Sequence, residues 1–112
     1  MRYPLTFYVD SLPPGVGGCA NGPVIRILKK YRNDEGIYRH ELVHVKQWFF
    51  TLSLHSLLYL IIPEYRLWSE VEAYKEQLKY YPDNRVHLFA KFIATNYGLI
   101  VTQEYALKLL RR

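Results

Sequence analysis

Glycine and proline are concentrated at the start of this 112-residue chain, which restricts where helices can form. Four of the six glycines and four of the six prolines lie within residues 1–23. Because both residue types interrupt helices, this region can hold only loops and short extended segments. The sequence therefore predicts that helices begin later. The chain length fits one domain, residues 1–112, with no room for a second independent core.

Two short segments near the start have the composition of β-strands. Residues 5–9 and Val24–Leu28 are rich in β-branched and aromatic side chains, and Arg26 stands between two isoleucines in the second segment. We expect these segments to pair with each other, with residues 11–21 as the connecting loop. The expected product is a short β-hairpin or a small sheet.

The rest of the chain has the periodicity of helices. A first helix is predicted to begin at Asn33 or Asp34, either of which can cap it, and to end at Pro63 at the latest. Further helices are predicted at about residues 64–81, 84–96 and 102–110. Together these elements predict an α+β fold, mostly α, in which the strands pack on a bundle of about four helices.

Basic residues outnumber acidic ones, which raises the question of an anionic partner. Fifteen Lys and Arg against ten Asp and Glu give a formal net charge of +5. The basic residues are spread along the chain, and the densest group is only Lys29, Lys30 and Arg32. We therefore expect a solvated basic surface and no specific nucleic-acid partner.

Cys19 is the single cysteine of the chain, so an intramolecular disulfide and a site of several thiolates are both excluded. This cysteine usage is typical of a reducing compartment. The apolar run of residues 5–9 ends at Asp10 and is too short for the hydrophobic region of a secretory signal. The expected location is therefore the cytoplasm.

The longest apolar stretch covers residues 48–62 and is closed by Pro63. It contains several polar side chains. A membrane-spanning helix needs about 20 apolar residues, and this stretch is shorter. We therefore expect no transmembrane segment. A buried helix or one arm of a helical hairpin is the favoured interpretation, and contact with a membrane surface is the alternative.

Residues 40–44 read His-Glu-Leu-Val-His, the HExxH motif, inside the first predicted helix. Histidines four residues apart lie on one face of a helix, so His40 and His44 can bind the same metal ion. Glu41 is rotated by about 100° from His40, which places its carboxylate beside the ion and not on it. That is the position of a general base that takes a proton from metal-bound water.

The third ligand decides the class of site, and the nearby histidine does not fit the role. The metzincin pattern requires Gly at position 47 and His at position 50, but the chain has Gln47 and Phe50 there. His55 follows His44 at a distance of about 16 Å along a continuous helix. We therefore expect His55 to be a core histidine or one that supports the ligands.

Two glutamates in the second predicted helix, Glu70 and Glu72, can supply a carboxylate instead. They point about 200° apart, so only one of them can face the metal. Glu70 shares a largely apolar helix face with Leu67 and Tyr74, whereas Glu72 lies among charged residues. Because a carboxylate on a buried face needs a metal or an ionic partner, Glu70 is preferred and Glu72 remains the alternative.

The sequence HELVH on one helix, followed by ExEAY on the next, resembles the gluzincin metallopeptidases. The resemblance covers about residues 24–81, and the short chain is most similar to the minimal members called minigluzincins. It implies a zincin-like fold and one zinc ion held by His40, His44 and Glu70, since the first Glu of the second signature is the ligand in related clans. It also implies that Glu41 activates water.

The chain departs from the family's pattern at two places. Tyr74 stands where such families have an Asp that hydrogen-bonds a ligand histidine, which leaves the support of the histidines open. The family's oxyanion-stabilising His or Tyr has two candidates here, His87 and Tyr97, and the sequence places neither of them near the ion. By the same resemblance, Val24–Leu28 would border the cleft and align an extended peptide by edge pairing.

The function that follows is metal-assisted hydrolysis of peptide bonds. Zinc would activate water and polarise the scissile carbonyl, and Glu41 would pass the proton to the leaving amine. The expected substrates are extended peptides or unfolded proteins. Cys19 could instead reach the zinc and block it, since thiolate is a good zinc ligand. The alternative function is a non-catalytic, α-rich basic binding module, either a degenerate zincin or an adaptor for protein or nucleic acid.

Overall fold

The computed structural model describes residues 2–112, in which a three-stranded sheet is followed by five α-helices. The α+β class, mostly α, is confirmed. The elements are β1 (Thr6–Val9), β2 (Gly18–Asn21), β3 (Val24–Leu28), a short 3-10 turn (Lys29–Tyr31), α1 (Glu35–Phe50), α2 (His55–Ile61), α3 (Pro63–Leu78), α4 (Val86–Asn96) and α5 (Gln103–Leu110).

The sheet has the strand order β1-β3-β2, and its pairing differs from the predicted hairpin. The two predicted strands do pair, but in parallel, with Thr6 opposite Ile25 and Val9 opposite Leu28. The antiparallel partner of β3 is β2, which lies inside the segment predicted to be a loop. Gly22, with φ +59, makes the tight turn between them. The Asn-Gly step at this turn is a hairpin signal that the glycine-rich context obscured.

The first predicted helix is divided into two, which is why five helices replace the expected four. Asp34 caps α1 as predicted, since its side chain accepts a hydrogen bond from the Ile37 amide. The helix ends at Phe50, and Leu52 and Ser53 then adopt positive φ angles of 53° and 69°. Neither residue is a glycine, so the sequence carried no signal for this turn. After it, α2 begins at His55.

The apolar core consists of two clusters with a polar layer between them. One cluster joins the sheet to α1 through Ile25, Ile27, Tyr38 and Val45. The other joins α3, α4 and α5 and includes Phe89 and other apolar side chains. Where α1 and α3 face each other, several buried side chains are polar. They are His40, His44 and Glu70, together with Gln47, Ser69 and Gln77. This layer is the candidate site.

The stretch of residues 48–62 does not form a membrane span. None of the helices within residues 2–112 is both long enough and apolar enough to cross a bilayer.

Candidate metal centre

Two helices bring three possible metal ligands together. His40 and His44 lie one turn apart on α1, and Glu70 faces them from α3. The Oε1 atom of Glu70 lies 3.2 Å from Nε2 of His40 and 3.3 Å from Nε2 of His44. The three ligand atoms all lie within 4.8 Å of one another, and all three residues are buried. The structure thus joins Glu70, and not Glu72, to the HExxH histidines.

The spacing of these atoms fits a small tetrahedral metal ion. Zinc binds imidazole nitrogen and carboxylate oxygen at about 2.0–2.2 Å, which at tetrahedral angles puts neighbouring ligand atoms about 3.3 Å apart. The two measured separations between nitrogen and oxygen, 3.2 and 3.3 Å, match this value. Two neutral imidazoles and one carboxylate are also a donor set that zinc uses in catalytic sites. The residues present therefore fit the ion.

Both histidines are oriented by hydrogen bonds at their other ring nitrogen. Nδ1 of His40 lies 2.8 Å from the carbonyl Oε1 of Gln77. Nδ1 of His44 lies 3.0 Å from Oε1 of Gln47 and 3.0 Å from the Ser69 hydroxyl. An amide oxygen can only accept, so each Nδ1 carries a proton and Nε2 is the nitrogen left to bind a metal.

The amide orientations themselves are determined by further contacts. The Gln77 amide nitrogen donates to the Tyr81 hydroxyl at 2.8 Å, so its oxygen faces His40. The Gln47 amide nitrogen donates to the Ser69 carbonyl at 3.4 Å, and the Ser69 hydroxyl donates to Gln47 Oε1 at 2.7 Å. These residues supply the support that the sequence left open at Tyr74. Tyr74 instead packs its ring edge-on against His40, with 4.4 Å between the ring centroids.

These supporting residues were missed at the sequence level, although one signal was available. Gln77 lies on the same face of α3 as Glu70, seven residues later, and Gln47 follows His44 by three residues on α1. Helical spacing thus placed both amides on the metal side. It did not show which atom each amide would reach.

The second carboxylate oxygen of Glu70 is held by α2. The Tyr59 hydroxyl donates a hydrogen bond to Glu70 Oε2. Burial and the negative charge of Glu70 both raise the pKa of Tyr59, so the hydroxyl keeps its proton and remains a donor. Glu70 therefore presents one oxygen, Oε1, toward the histidines. This contact depends on the turn at Leu52 and Ser53, which the sequence did not reveal.

Charge couples the ligands to each other. Burial alone would lower the pKa of His44, but the neighbouring Glu70 carboxylate outweighs it and raises that pKa to about 9. Burial alone would raise the pKa of Glu70, but His44 and His40 hold it well below its usual range. Without a metal, His44 and Glu70 thus form a buried ion pair. A divalent cation would displace the proton from His44.

Glu41 lies beside the ligand group and not within it, as predicted. Its side chain is buried and lines the same cavity as the ligands. Burial raises the pKa of Glu41, and the charges of His40 and His44 offset this in part. A carboxylate with a raised pKa, next to a metal position, has the properties of a general base that both accepts and returns a proton.

A cavity of about 980 Å³ opens above the ligands. Its walls come from β2, from α2 and from the end of α4. The prediction that Val24–Leu28 borders the cleft as an edge strand is wrong, because β3 is the central strand and is paired on both sides. The strand beside the cavity is β2. The error follows from the unrecognised strand at Gly18–Asn21.

Cys19 lies on this strand and lines the cavity without joining the ligand group. Its sulfur is 3.6 Å from Oδ1 of Asn21. Burial, and secondarily the charge of Glu41, raises the pKa of the Cys19 thiol. Since the thiolate and not the thiol binds metals, this arrangement does not support a blocking role for Cys19.

The remaining candidates from the sequence divide between the cavity and the surface. His55 is buried, its Nδ1 lies 2.6 Å from the Tyr65 hydroxyl, and its ring centroid is 5.8 Å from that of His44. It is not one of the three ligand residues, and the helix break brings it closer to His44 than a continuous helix allows. Tyr97 lines the cavity, and its hydroxyl is 2.5 Å from that of Tyr74. His87 contacts Arg111 at the surface.

Comparison of this chain with protein families, with curated proteins and with solved structures gives no match in any of the three. Its function is therefore argued from the geometry of the site. The resemblance to gluzincins remains a hypothesis that rests on the two motifs.

Proposed function

We propose that this protein is a zinc-dependent metallopeptidase of the gluzincin type, which hydrolyses peptide bonds. One observation carries the proposal. Nε2 of His40 and Nε2 of His44 converge on Oε1 of Glu70 at 3.2 and 3.3 Å, and the group lies at the base of an open cavity that Glu41 also lines. Catalytic zinc sites combine three such ligands with an accessible fourth position.

Each residue has a defined part in the proposed reaction. His40, His44 and Glu70 bind one zinc ion per chain, and Gln77, Gln47 and Ser69 keep the imidazoles in the binding tautomer. When bound, the ion would supply a Lewis acid that polarises the scissile carbonyl and makes water a stronger acid. The Glu41 carboxylate would accept a proton from water as the water oxygen bonds to the carbonyl carbon, and would donate it to the nitrogen of the leaving amine as the C–N bond breaks.

The cavity suggests how the substrate is held. β2 is an edge strand beside the ligands, so its free backbone groups can pair with an extended peptide. Extended peptides and unfolded proteins are therefore the proposed substrates. Of the two candidates for oxyanion stabilisation, Tyr97 is the better placed, because it lines the cavity and His87 does not. The single cysteine favours the cytoplasm as the location.

The first test is metal content combined with removal of the base. Elemental analysis of protein purified without chelator should give about one zinc per chain, and His44→Ala should abolish it. Glu41→Gln should retain zinc and lose hydrolysis of an unfolded protein such as casein by at least about a hundredfold, because general-base catalysis contributes about 10²–10⁴ in rate. Hydrolysis is followed by the release of acid-soluble peptides.

Glu72→Gln is the matched control, since Glu72 lies on the same helix but outside the ligand group. It should leave both zinc content and hydrolysis unchanged. Full activity in Glu41→Gln would show that the base is misassigned. One zinc per chain without hydrolysis of any unfolded substrate would favour the non-catalytic binding module over the enzyme.

A further inference from the structure

A second feature of the molecule is an apolar surface at the junction of α1 and α2. No Asp, Glu, Lys or Arg stands between Lys46 and Glu64. Most large apolar side chains of this stretch are exposed and belong to neither core cluster. We name this surface the apolar tip; its members are Phe49, Phe50, Leu52, Leu54, Leu57, Leu60, Ile61 and Ile62.

The loop before α5, which carries Ile100, approaches the apolar tip although it is distant from it in sequence. The Arg66 guanidinium donates to the Tyr59 carbonyl at 2.9 Å and the Leu60 carbonyl at 3.3 Å, both at the end of α2. It also reaches the Gly98 carbonyl, in the loop before α5, at 3.5 Å. Gly98 therefore lies near the end of α2. Ile100, two residues further along the loop, is fully exposed.

These side chains project from the surface and do not line a groove. Phe50 is 87% exposed, Leu52 84% and Ile100 102%, so they have almost no neighbours on their own molecule. A preformed site for a protein segment would cover part of each side chain. Isolated projecting side chains are better suited to a fluid layer, which closes around each of them. Trp68, half exposed on α3, is of the residue type that is enriched at the boundary of such a layer.

The charge of the molecule selects the kind of layer. The chain carries a formal net charge of +5. The charged residues that flank the apolar stretch in sequence are Lys46, exposed one turn before Phe50 on α1, and Glu64 and Arg66 at the start of α3, so two cations stand against one acid. The Arg66 guanidinium lies at the end of α2, where it donates to two backbone carbonyls. An apolar surface on a molecule of net positive charge is complementary to a bilayer that contains anionic phospholipids.

We infer that the apolar tip, with Ile100, inserts into the surface of an anionic phospholipid bilayer. The arrangement has a consequence for the cavity. α2 separates the two features: His55 and Tyr59 face the cavity, whereas Leu57 and Ile61 are exposed at the tip, and Leu60 both lines the cavity and is exposed. Docking through the tip thus places the mouth of the cavity next to the bilayer. The inference is independent of whether the metal site is catalytic.

The experiment measures binding of the full chain to lipid vesicles by co-sedimentation. Vesicles of phosphatidylcholine mixed with phosphatidylglycerol should bind the protein, and vesicles of phosphatidylcholine alone should bind it less. The double variant Phe50→Ser with Leu52→Ser should weaken partitioning by at least about tenfold, because it removes two large apolar side chains from the inserted surface. Vesicle binding should also shift the emission of Trp48 and Trp68 to shorter wavelength.

The matched control is Phe7→Ser with Leu88→Ser, which removes one exposed phenylalanine and one exposed leucine outside the tip. It should bind like the unsubstituted chain. Circular dichroism and urea denaturation establish that both double variants are folded. Absence of binding to anionic vesicles would overturn the inference. So would a tip variant that binds as tightly as the unsubstituted chain and is fully released by salt, since its binding would then be electrostatic alone. The third such result is a dimer that binds no vesicles and that the tip substitutions dissociate.

Discussion

At the scale of single residues, the site depends on which ring nitrogen each imidazole presents. A histidine that binds a metal through Nε2 carries its proton on Nδ1, and when the ring is buried this N–H needs a hydrogen-bond acceptor. Here the acceptors are the amide oxygens of Gln77 and Gln47. These hydrogen bonds fix the tautomer and the orientation of each ring. We therefore expect substitution of either glutamine to lower the metal affinity.

Gln77→Leu removes the acceptor of His40 and leaves a buried N–H without a partner. Loss of such a support typically lowers metal affinity by about 10–100-fold, and we expect a loss in that range here. Competition with a chromophoric zinc chelator measures the affinity. Gln103→Leu makes the same substitution at an exposed position of α5 and should have no effect. Equal affinities of the two variants would show that Gln77 does not orient the ligand.

At the scale of elements, the turn between α1 and α2 decides what surrounds the carboxylate. Because the chain reverses at Leu52 and Ser53, α2 returns along the site and Tyr59 reaches Glu70. A continuous helix would carry His55 and Tyr59 away from His44. The left-handed conformation at two non-glycine residues costs about 1–2 kcal/mol each, which the contacts of α2 must offset.

Ser53→Gly should raise the free energy of unfolding by roughly 0.5 kcal/mol. Relief of the left-handed conformation at φ 69° contributes about 1–2 kcal/mol, and the greater entropy of the unfolded chain opposes it by about 0.4–1 kcal/mol. Ser56→Gly is the control, since Ser56 lies in α2 and a helical glycine costs about 0.5–1 kcal/mol. Urea denaturation should thus show a higher free energy of unfolding for Ser53→Gly and a lower one for Ser56→Gly. A decrease in both variants would contradict the role assigned to the turn.

At the scale of the whole molecule, tyrosines are numerous and several of them are buried or partly buried. The chain has 11 tyrosines. Burial is the largest cause of a raised pKa at Tyr59, Tyr65, Tyr74, Tyr81 and Tyr97, and at Tyr81 it raises the pKa to about 12. In the unfolded chain these hydroxyls ionise near pH 10. The folded protein therefore retains protons that the unfolded chain releases.

The sign of the pH dependence follows from this difference. Above about pH 10 the native state binds more protons than the unfolded state, so the free energy of unfolding falls as pH rises. A tyrosine whose pKa burial raises strongly, such as Tyr97, contributes up to about 1.4 kcal/mol per pH unit. Tyr97→Phe should reduce the slope measured by urea denaturation between pH 10 and about pH 11, whereas Tyr105→Phe removes an exposed hydroxyl and should leave it unchanged. Identical slopes would contradict the raised pKa of Tyr97.

The sequence alone determined the parts of this protein that depend on local spacing. The four-residue interval between His40 and His44 places two imidazoles on one helix face, and the apolar neighbours of Glu70 indicate a buried carboxylate. Helical start signals such as Asp34 and the α+β class followed in the same way. These features rest on hydrogen bonds and periodicities within a few residues, which a single sequence records directly.

Only the tertiary structure decided how those parts meet. The parallel pairing of β1 with β3 joins segments that are distant in sequence, and the reversal at Ser53 uses a backbone conformation that its residue type does not indicate. The contacts of Gln77 and Tyr59 with the ligands depend on those arrangements. Packing selects among several locally acceptable conformations, and its free energy is a sum over residues far apart in the chain.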